Sequence, residues 1–269
     1  MSTDPLDREL LALAEAAARE AGALIARYAA EGFAVGTKTS VTDMVTEADR
    51  AAERLIAERL LGARPGDGFV GEEGAREAGS SGVRWVVDPL DGTTNFIYGI
   101  PAYAVSIAAE RDGSVVAGVV HDVVHGLTYA AVRGGGATCN GRPIRVRERA
   151  QLATALVGTG FAYDPARRAE QAAVLARVLP AVRDIRRMGS AALDLAHVAC
   201  GMLDGYYEYR LNPWDIAAGG LLVEEAGGLA GGFGGRSFAE GYVVAAGPAV
   251  FAELSALVET AYRAAARGA

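Results

Sequence analysis

The chain contains the stretch Trp85-Val86-Val87-Asp88-Pro89-Leu90-Asp91-Gly92-Thr93-Thr94-Asn95-Phe96, in which a short apolar run leads directly into two closely spaced carboxylates. The apolar residues predict a strand that ends at Asp88, and the turn through Pro89 brings Asp91 back three residues later. Both carboxylates can then face one point, where they repel each other unless a cation lies between them. Hard oxygen ligands of this kind favour Mg²⁺, Mn²⁺ or Ca²⁺ over zinc.

The residues that follow indicate an anion site beside these carboxylates. Gly92-Thr93-Thr94 predicts the start of a helical turn, whose free backbone N–H groups suit an anion. A metal ion next to such an anion site is typical of phosphate binding. Taken alone, the same residues also fit a plain surface turn in which Asp91 caps a helix.

Two further acidic residues extend the candidate site. Glu72 follows the apolar pair Phe69-Val70, so that it lies at the end of a second predicted strand. Asp215 lies just inside a predicted helix start after Trp214, where the helix dipole stabilises a carboxylate even without a metal. Both residues are candidate ligands, and a purely structural role remains open for Asp215.

The predicted elements divide the chain into two parts. Helical apolar spacing predicts helices at 6–30 and 46–61, and Thr46 with Asp49 has the form of a capping box at the start of the second. Closely spaced apolar runs between 103 and 146, with Pro143–Val146 as the last strand, predict an antiparallel meander of hairpins. The second part alternates strands with helices, which favours a mostly parallel sheet. We therefore predict an α/β (α+β) fold class, with an antiparallel metal- and phosphate-binding part at 1–148 and an α/β part at 149–269 that completes the site.

Composition excludes several classes of function. The 269 residues carry a net charge of −7, and the sequence pI of about 5.1 argues against a nucleic-acid-binding surface. The sequence shows neither a signal peptide nor an apolar stretch of membrane-spanning length, so we expect a cytoplasmic protein without membrane contact. Cys139 and Cys200 are far apart and lack metal-binding spacing, which predicts reduced thiols.

Several motifs, in this order along the chain, resemble those of the inositol monophosphatase family. They are Asp43–Asp49, Gly71–Glu73, Asp88–Phe96, Arg187–Leu195, Gly205–Glu208 and Trp214–Gly219. Each motif alone is moderately specific, whereas the ordered set is highly specific and extends from the first helix to near the C-terminus. The resemblance implies a layered α-β-α-β-α sandwich of the sugar-phosphatase type, with an antiparallel N-terminal sheet, a mixed, mostly parallel C-terminal sheet and a homodimeric assembly.

The resemblance also implies roles for individual residues. The Mg²⁺ ligands would be the side chains of Glu72, Asp88, Asp91 and Asp215, with the backbone carbonyl of Leu90. Glu72 and Thr93 would position and deprotonate the attacking water, and Asp49 would support this catalytic set. The substrate-binding residues would be Asp91, Gly92, Thr93, Gly189, Ser190, Ala191, Glu208 and Asp215. Lys38 and Asp43 would support the site from nearby.

The activity that the resemblance implies is Mg²⁺-dependent, lithium-sensitive hydrolysis of myo-inositol 1-phosphate and related polyol phosphates by direct attack of water. Members of the family also act on fructose 1,6-bisphosphate, histidinol phosphate or 3′-phosphoadenosine nucleotides. Asn95-Phe96 after Asp91-Gly92-Thr93-Thr94 looks like the inositol-phosphate branch. A regulatory binding protein and a structural Ca²⁺ protein are alternatives, but the complete acidic set with Thr93 favours an enzyme.

Overall fold

The computed structural model describes residues 3–37, 44–148 and 151–268. The expected supporting residues Lys38 and Asp43 lie outside the described residues. The α-helices of the described part are α1 (Pro5–Glu31), α2 (Glu47–Ala63), α3 (Thr93–Tyr98), α4 (Pro165–Val178), α5 (Ala191–Ala199), α6 (Pro213–Glu225) and α7 (Pro248–Gly268). The long helices follow the apolar spacing of the sequence to within a few residues.

Capping side chains fix where the first two helices begin. The Asp4 carboxylate accepts a hydrogen bond from the Leu6 N–H at 2.9 Å, and Pro5 opens α1 with a preset backbone angle. Thr46 caps α2 in a reciprocal capping box with Asp49, as the sequence predicts. The start of α2 therefore places Asp49 at a defined, fully buried position.

The first large sheet holds eight strands of the described chain. They are β3 (Gly68–Gly71), β4 (Arg76–Glu77), β5 (Val83–Asp91), β6 (Ala104–Arg111), β7 (Ser114–Asp122), β8 (Leu127–Val132), β9 (Gly136–Cys139) and β10 (Arg142–Pro143), preceded by a separate hairpin of β1 (Val35–Thr37) and β2 (Met44–Thr46). The spatial order is β10-β9-β8-β7-β6-β5-β3-β4, and the neighbouring pairs are antiparallel except for the parallel pair β3 and β5. The predicted meander is confirmed.

The last strand of this sheet is shorter than the sequence predicts. We expected Pro143–Val146 to be extended in the sheet, whereas β10 ends at Pro143. The Val146 N–H donates to the Ala226 carbonyl at 3.1 Å, because the chain here leaves the sheet and crosses to the second part of the fold.

The second large sheet is mixed. It contains β11 (Leu156–Thr159), β12 (Asp184–Arg186), β13 (Gly205–Tyr209), β14 (Leu229–Gly231) and β15 (Tyr242–Ala246), in the order β12-β11-β13-β15-β14. The strands β11, β12 and β13 are mutually parallel and joined by helical crossovers, as expected. β15 runs antiparallel to both of its neighbours, so the sheet is mixed, while its other four strands share one direction, as expected.

Five layers result from the packing of the helices on these sheets. The helices α1 and α2 cover one face of the eight-stranded sheet, α5 and α6 lie between the two sheets, and α4 and α7 cover the outer face of the second sheet. This confirms the α-β-α-β-α sandwich. The hydrophobic core between the two sheets contains residues from both parts of the chain. The division into two domains near residue 148 stays a prediction. Within the described residues, none of the helices has the length and apolar character needed to cross a bilayer.

Candidate active site

One cleft brings together residues that are widely separated in the sequence. It has a volume of about 140 Å³ and lies where the end of β5 meets the first turns of α3, α5 and α6. Its lining includes each residue that the resemblance assigns to metal or substrate: Glu72, Asp88, Leu90, Asp91, Gly92, Thr93, Gly189, Ser190, Ala191, Glu208 and Asp215. Their roles stay predictions, but their placement in one cleft is a property of the fold.

The end of β5 supplies two of the carboxylates. The pairing of β5 with β6 is irregular between Asp88 and Asp91, at the position of Pro89, which has no N–H to donate. The Leu90 N–H donates to Asp88 Oδ1 at 3.0 Å, which orients that carboxylate. The proline therefore releases the chain from the ladder and lets Asp88 and Asp91 both line the cleft.

The helical turn α3 begins immediately after these carboxylates. Gly92 precedes it with a φ of 96°, and a Cβ at this position would lie 2.9 Å from the Ala102 carbonyl oxygen. Glycine is therefore required here both for conformation and for space. No side chain caps α3, and Gly92 and Thr93 at its start line the cleft.

Thr93 is fixed by a residue from the first part of the chain. Its Oγ1 lies 3.0 Å from Asp49 Oδ1 and 3.1 Å from the Leu90 carbonyl oxygen. The same Asp49 accepts from the Thr46 N–H at 2.8 Å through its other oxygen. The structure thus pairs the Thr93 hydroxyl with Asp49, which links the start of α2 to the cleft.

The loop that carries Glu72 is held by a residue that the sequence analysis missed. Glu53 of α2 is only 4% exposed, and its carboxylate accepts from the N–H groups of Glu73 at 2.7 Å and Ala75 at 2.9 Å. A Cβ at Gly71 would lie 2.1 Å from Glu53 Oε2. An acidic residue on the apolar face of α2 was the available signal for this support.

The second part of the chain fixes the remaining two carboxylates through helix starts. Asp91 Oδ2 accepts from the Ser190 hydroxyl at 2.6 Å and from the Ala192 N–H at 2.7 Å, at the beginning of α5. Asp215 lies in the first turn of α6 and accepts from the Asn212 N–H at 2.7 Å. Asp215 therefore caps its helix and also lines the cleft, so its role at the helix start is compatible with a role as a ligand.

Burial and mutual repulsion make the carboxylates hard to ionise without a counter-charge. Loss of solvent raises the pKa of Asp88 and Asp215 well above the usual range, and the neighbouring carboxylates raise both further. Burial likewise raises the pKa of Asp91 to about 6, although the hydrogen bonds from Ser190 and Ala192 act in the opposite direction. A buried, oxygen-only set of this charge fits divalent cations.

The ligand geometry itself is not preformed. Among the residues with described positions, no three acidic, histidine or cysteine side chains already surround a single point at coordination distance. The assignment of a metal site therefore depends on the chemistry, burial and repulsion of the four carboxylates.

The other end of the cleft is built around Glu208. This residue lies in β13, and its carboxylate accepts a hydrogen bond from the Tyr206 hydroxyl. Burial is the largest cause that raises the pKa of Glu208, to about 7. A Cβ at Gly160 would lie 1.9 Å from Glu208 Oε2, so only glycine leaves room for this side chain. The sequence analysis assigned no role to Gly160, which directly follows β11.

Asn95 and Arg187 complete the cleft and were also missed as functional residues. The Asn95 side-chain amide donates to the carbonyls of Ala102 at 2.7 Å and Met188 at 2.8 Å, which ties α3 to the loop before α5. Arg187 lines the cleft, and its positive charge favours the ionised forms of Asp91 and Glu208, which lowers their pKa values. Both residues lie inside motifs that carry the family resemblance.

Comparison with known proteins gives consistent results over nearly the whole chain. A sequence model described as "Inositol monophosphatase family" matches residues 6–265. An inositol-1-monophosphatase of Mycobacterium leprae is 46% identical over 276 residues, which cover 93% of this chain and 94% of that protein. A Pasteurella multocida protein named Nus factor SuhB is 43% identical over 250 residues, with coverage of 91% and 94%. The crystal structure of extragenic suppressor protein suhB from Bartonella henselae has a TM-score of 0.88 at 39% identity, and covers 93% of this chain and 98% of that chain.

Proposed function

The chain belongs to the inositol monophosphatase family, and on that premise we propose that it hydrolyses myo-inositol 1-phosphate and related polyol phosphates with Mg²⁺ as cofactor. Family membership supports a metal-dependent phosphatase of small phosphate esters. The observation that carries the finer proposal is that Glu72, Asp88, Asp91 and Asp215 line one cleft beside the uncapped start of α3.

A phosphate monoester dianion is repelled both by the acidic cleft and by an attacking hydroxide. The reaction therefore needs bound cations, and the carboxylates suit this chemistry because they can hold them. The side chains of Glu72, Asp88, Asp91 and Asp215 would hold the cations, with the Leu90 carbonyl as a further ligand. When bound, divalent cations supply positive charge that neutralises the phosphate and lowers the pKa of water. The backbone N–H groups of Gly92 and Thr93 would bind phosphate oxygens at the helix start.

Water is the nucleophile in this proposal. The Ser190 hydroxyl donates to Asp91 and accepts from the Leu193 N–H, so its function is to fix Asp91 and the start of α5. Glu72 would accept the proton of the attacking water, while Thr93, held by Asp49, would orient that water. Hydrolysis would then proceed in one displacement without a phosphorylated residue.

The alcohol half of the substrate would lie towards Glu208. The buried carboxyl of Glu208 can accept a hydrogen bond from a hydroxyl, and the backbone of Gly189, Ser190 and Ala191 lines the approach. The name of the Mycobacterium leprae relative supports inositol 1-phosphate as the ester. Fructose 1,6-bisphosphate and histidinol phosphate are the alternatives within the same chemistry. A homodimer, lithium sensitivity and a cytoplasmic location belong to the same proposal.

A second candidate follows from the name Nus factor SuhB carried by the Pasteurella multocida relative. In that case the chain would act as a regulatory binding protein, with or without catalysis. A binding role alone would not require Thr93 and Asp49 to be held beside four carboxylates that line one cleft, so we place the enzymatic role first.

A phosphate-release screen tests the proposal. The purified protein is incubated with Mg²⁺ and with inositol 1-phosphate, fructose 1,6-bisphosphate, histidinol phosphate and a 3′-phosphoadenosine nucleotide. We expect the highest kcat/KM for inositol 1-phosphate, and no release by the Asp88→Asn variant, which controls for contaminating phosphatases. Release from none of these esters would contradict the enzymatic proposal and favour the binding role.

A further inference from the structure

Asp194 is a buried carboxyl for which the fold supplies no partner. It is 1% exposed, and its Oδ1 has no hydrogen-bond partner among the described residues. Buried polar groups are nearly always paired, because an unpaired group loses its hydrogen bonds to water without replacing them. Asp67, which is 3% exposed, shows the usual solution: it accepts from Arg64, Ser81 and Trp85. Asp194 therefore requires a different explanation.

The cleft provides that explanation. Asp194 lies one turn inside α5 and is part of the lining of the cleft that holds the four carboxylates. A Cβ at Gly158 would lie 3.3 Å from Asp194 Oδ1, and a Cβ at Gly160 would lie 1.9 Å from Glu208 Oε2. Two glycines at the end of β11 thus leave room for two carboxyls, which lie at the same end of the cleft.

Glu208 is close enough for its negative charge to act on Asp194. Burial is the largest cause that raises the pKa of Asp194 well above its usual range, followed by the negative charge of Glu208. Arg187, on the cleft lining, acts in the opposite direction on both groups. A ligand with several neutral hydroxyl groups can donate to the carboxyls and accept from the guanidinium, without adding a further charge to the site.

We propose that Asp194 is a specificity-determining residue, whose unpartnered carboxyl binds a second hydroxyl group of the substrate alcohol beside the one bound by Glu208. The proposal rests on the proposed phosphatase function and deepens it. The preferred substrates are phosphate esters of polyols with at least two free hydroxyl groups on the alcohol half. An aryl phosphate, which offers no such hydroxyl, gains nothing from Asp194.

The test compares two substrates in matched variants. Values of kcat/KM are measured for myo-inositol 1-phosphate and for p-nitrophenyl phosphate with the unaltered protein, Asp194→Ala and Asp194→Asn. We expect Asp194→Ala to lower the ratio of kcat/KM for myo-inositol 1-phosphate to kcat/KM for p-nitrophenyl phosphate by about tenfold or more. This is the scale of a lost hydrogen bond to a buried polar group. Asp194→Asn keeps a hydrogen-bonding side chain of the same shape and should retain most of the ratio.

Thermal stability separates this role from a structural one. Removal of an unpartnered buried carboxyl should leave the Tm of Asp194→Ala unchanged or raise it. The control is Asp122→Asn, which alters a buried acid outside the cleft that accepts from the N–H groups of Val124 and His125. That variant should lower the Tm without changing the substrate ratio. Asp194→Leu repeats the experiment if the alanine variant does not fold.

An unchanged substrate ratio in Asp194→Ala would overturn the role of Asp194, whether both kcat/KM values stay the same or both fall equally with a lower Tm. Either result in an active enzyme leaves the proposed function intact. Failure of the unaltered protein to release phosphate from both esters would instead contradict the proposed function itself, so the two failures are distinguishable.

Discussion

The Thr93 hydroxyl lies 3.0 Å from Asp49 Oδ1, although the two residues are 44 positions apart in the chain. Asp49 is fully buried and also caps the start of α2 through its other oxygen. One carboxylate therefore fixes both a helix terminus and a hydroxyl at the mouth of the cleft. Because this arrangement is held by the fold, Thr93 is oriented before any substrate arrives.

Thr93→Ala should separate catalysis from binding. The variant loses the hydroxyl but keeps the backbone N–H that we propose binds phosphate, so we expect kcat to fall by about 10²–10⁴-fold with KM and the Mg²⁺ requirement nearly unchanged. Thr93→Ser, which keeps the hydroxyl, is the control and should retain most activity. Steady-state kinetics with a parallel Mg²⁺ titration measure both effects. A near-normal kcat in Thr93→Ala would reduce Thr93 to a turn residue.

Asp91→Asn should raise the Mg²⁺ requirement, because the variant removes the negative charge of a ligand. Ser190→Ala removes the hydroxyl that lies 2.6 Å from Asp91 Oδ2 and should weaken metal affinity by roughly 10–100-fold, as loss of a ligand's hydrogen-bond partner usually does. We expect the larger effect from Asp91→Asn. The Mg²⁺ concentration for half-maximal activity is the measurement, and an unchanged value in both variants would exclude Asp91 as a ligand.

Gly160→Ala should impair recognition of the alcohol while the fold stays intact. The added methyl would lie 1.9 Å from Glu208 Oε2 and would displace that carboxylate. We expect the KM for inositol 1-phosphate to rise by about tenfold, as in Glu208→Gln, with little change for an aryl phosphate. Gly62→Ala adds the same methyl where nothing lies within 4 Å, and it should have no effect on either substrate.

The raised pKa of Glu208 should be visible in the stability of the metal-free protein. Its pKa is about 7 in the fold, above the ordinary value of 4.5, so the folded state binds more protons and stability falls as pH rises through that interval. Burial lowers the pKa of His121 and His197, which has the opposite effect on the pH dependence. The informative quantity is therefore the Tm of Glu208→Gln minus that of the unaltered protein, measured in chelator.

The Tm of Glu208→Gln minus the Tm of the unaltered protein should increase from pH 5 to about pH 7 and then level off. Because the glutamine cannot ionise, only the unaltered protein loses this contribution to its stability over that interval. A difference that is constant between pH 5 and pH 8 would show that Glu208 has an ordinary pKa in the folded protein.

Local sequence signals predicted much of the fold and the central part of the site. Three short-range features lie where the sequence predicts them: the Thr46 capping box, the hairpin meander and the carboxylates at the end of β5. The antiparallel orientation of β15 was not predicted, because it depends on the path that the chain takes between neighbouring strands.

The supporting residues could not be predicted because their roles depend on distant parts of the chain. Glu53 contacts a loop about 20 residues away, and Gly160 is constrained only by the Glu208 carboxylate. Asp194 lies on a helix whose apolar spacing gives no sign that one carboxyl faces a cleft. Such roles can be recognised only from the tertiary contacts, whereas the members of the acidic set can be recognised from the sequence.

We propose that this acidic cleft hydrolyses a polyol phosphate with the help of a divalent cation. The most direct test is phosphate release from myo-inositol 1-phosphate after exhaustive chelation, and again after Mg²⁺ is added back, with Asp88→Asn measured in parallel. We predict that chelation abolishes release, that Mg²⁺ restores it in the unaltered protein, and that the variant stays inactive. Undiminished release in excess chelator would contradict the account.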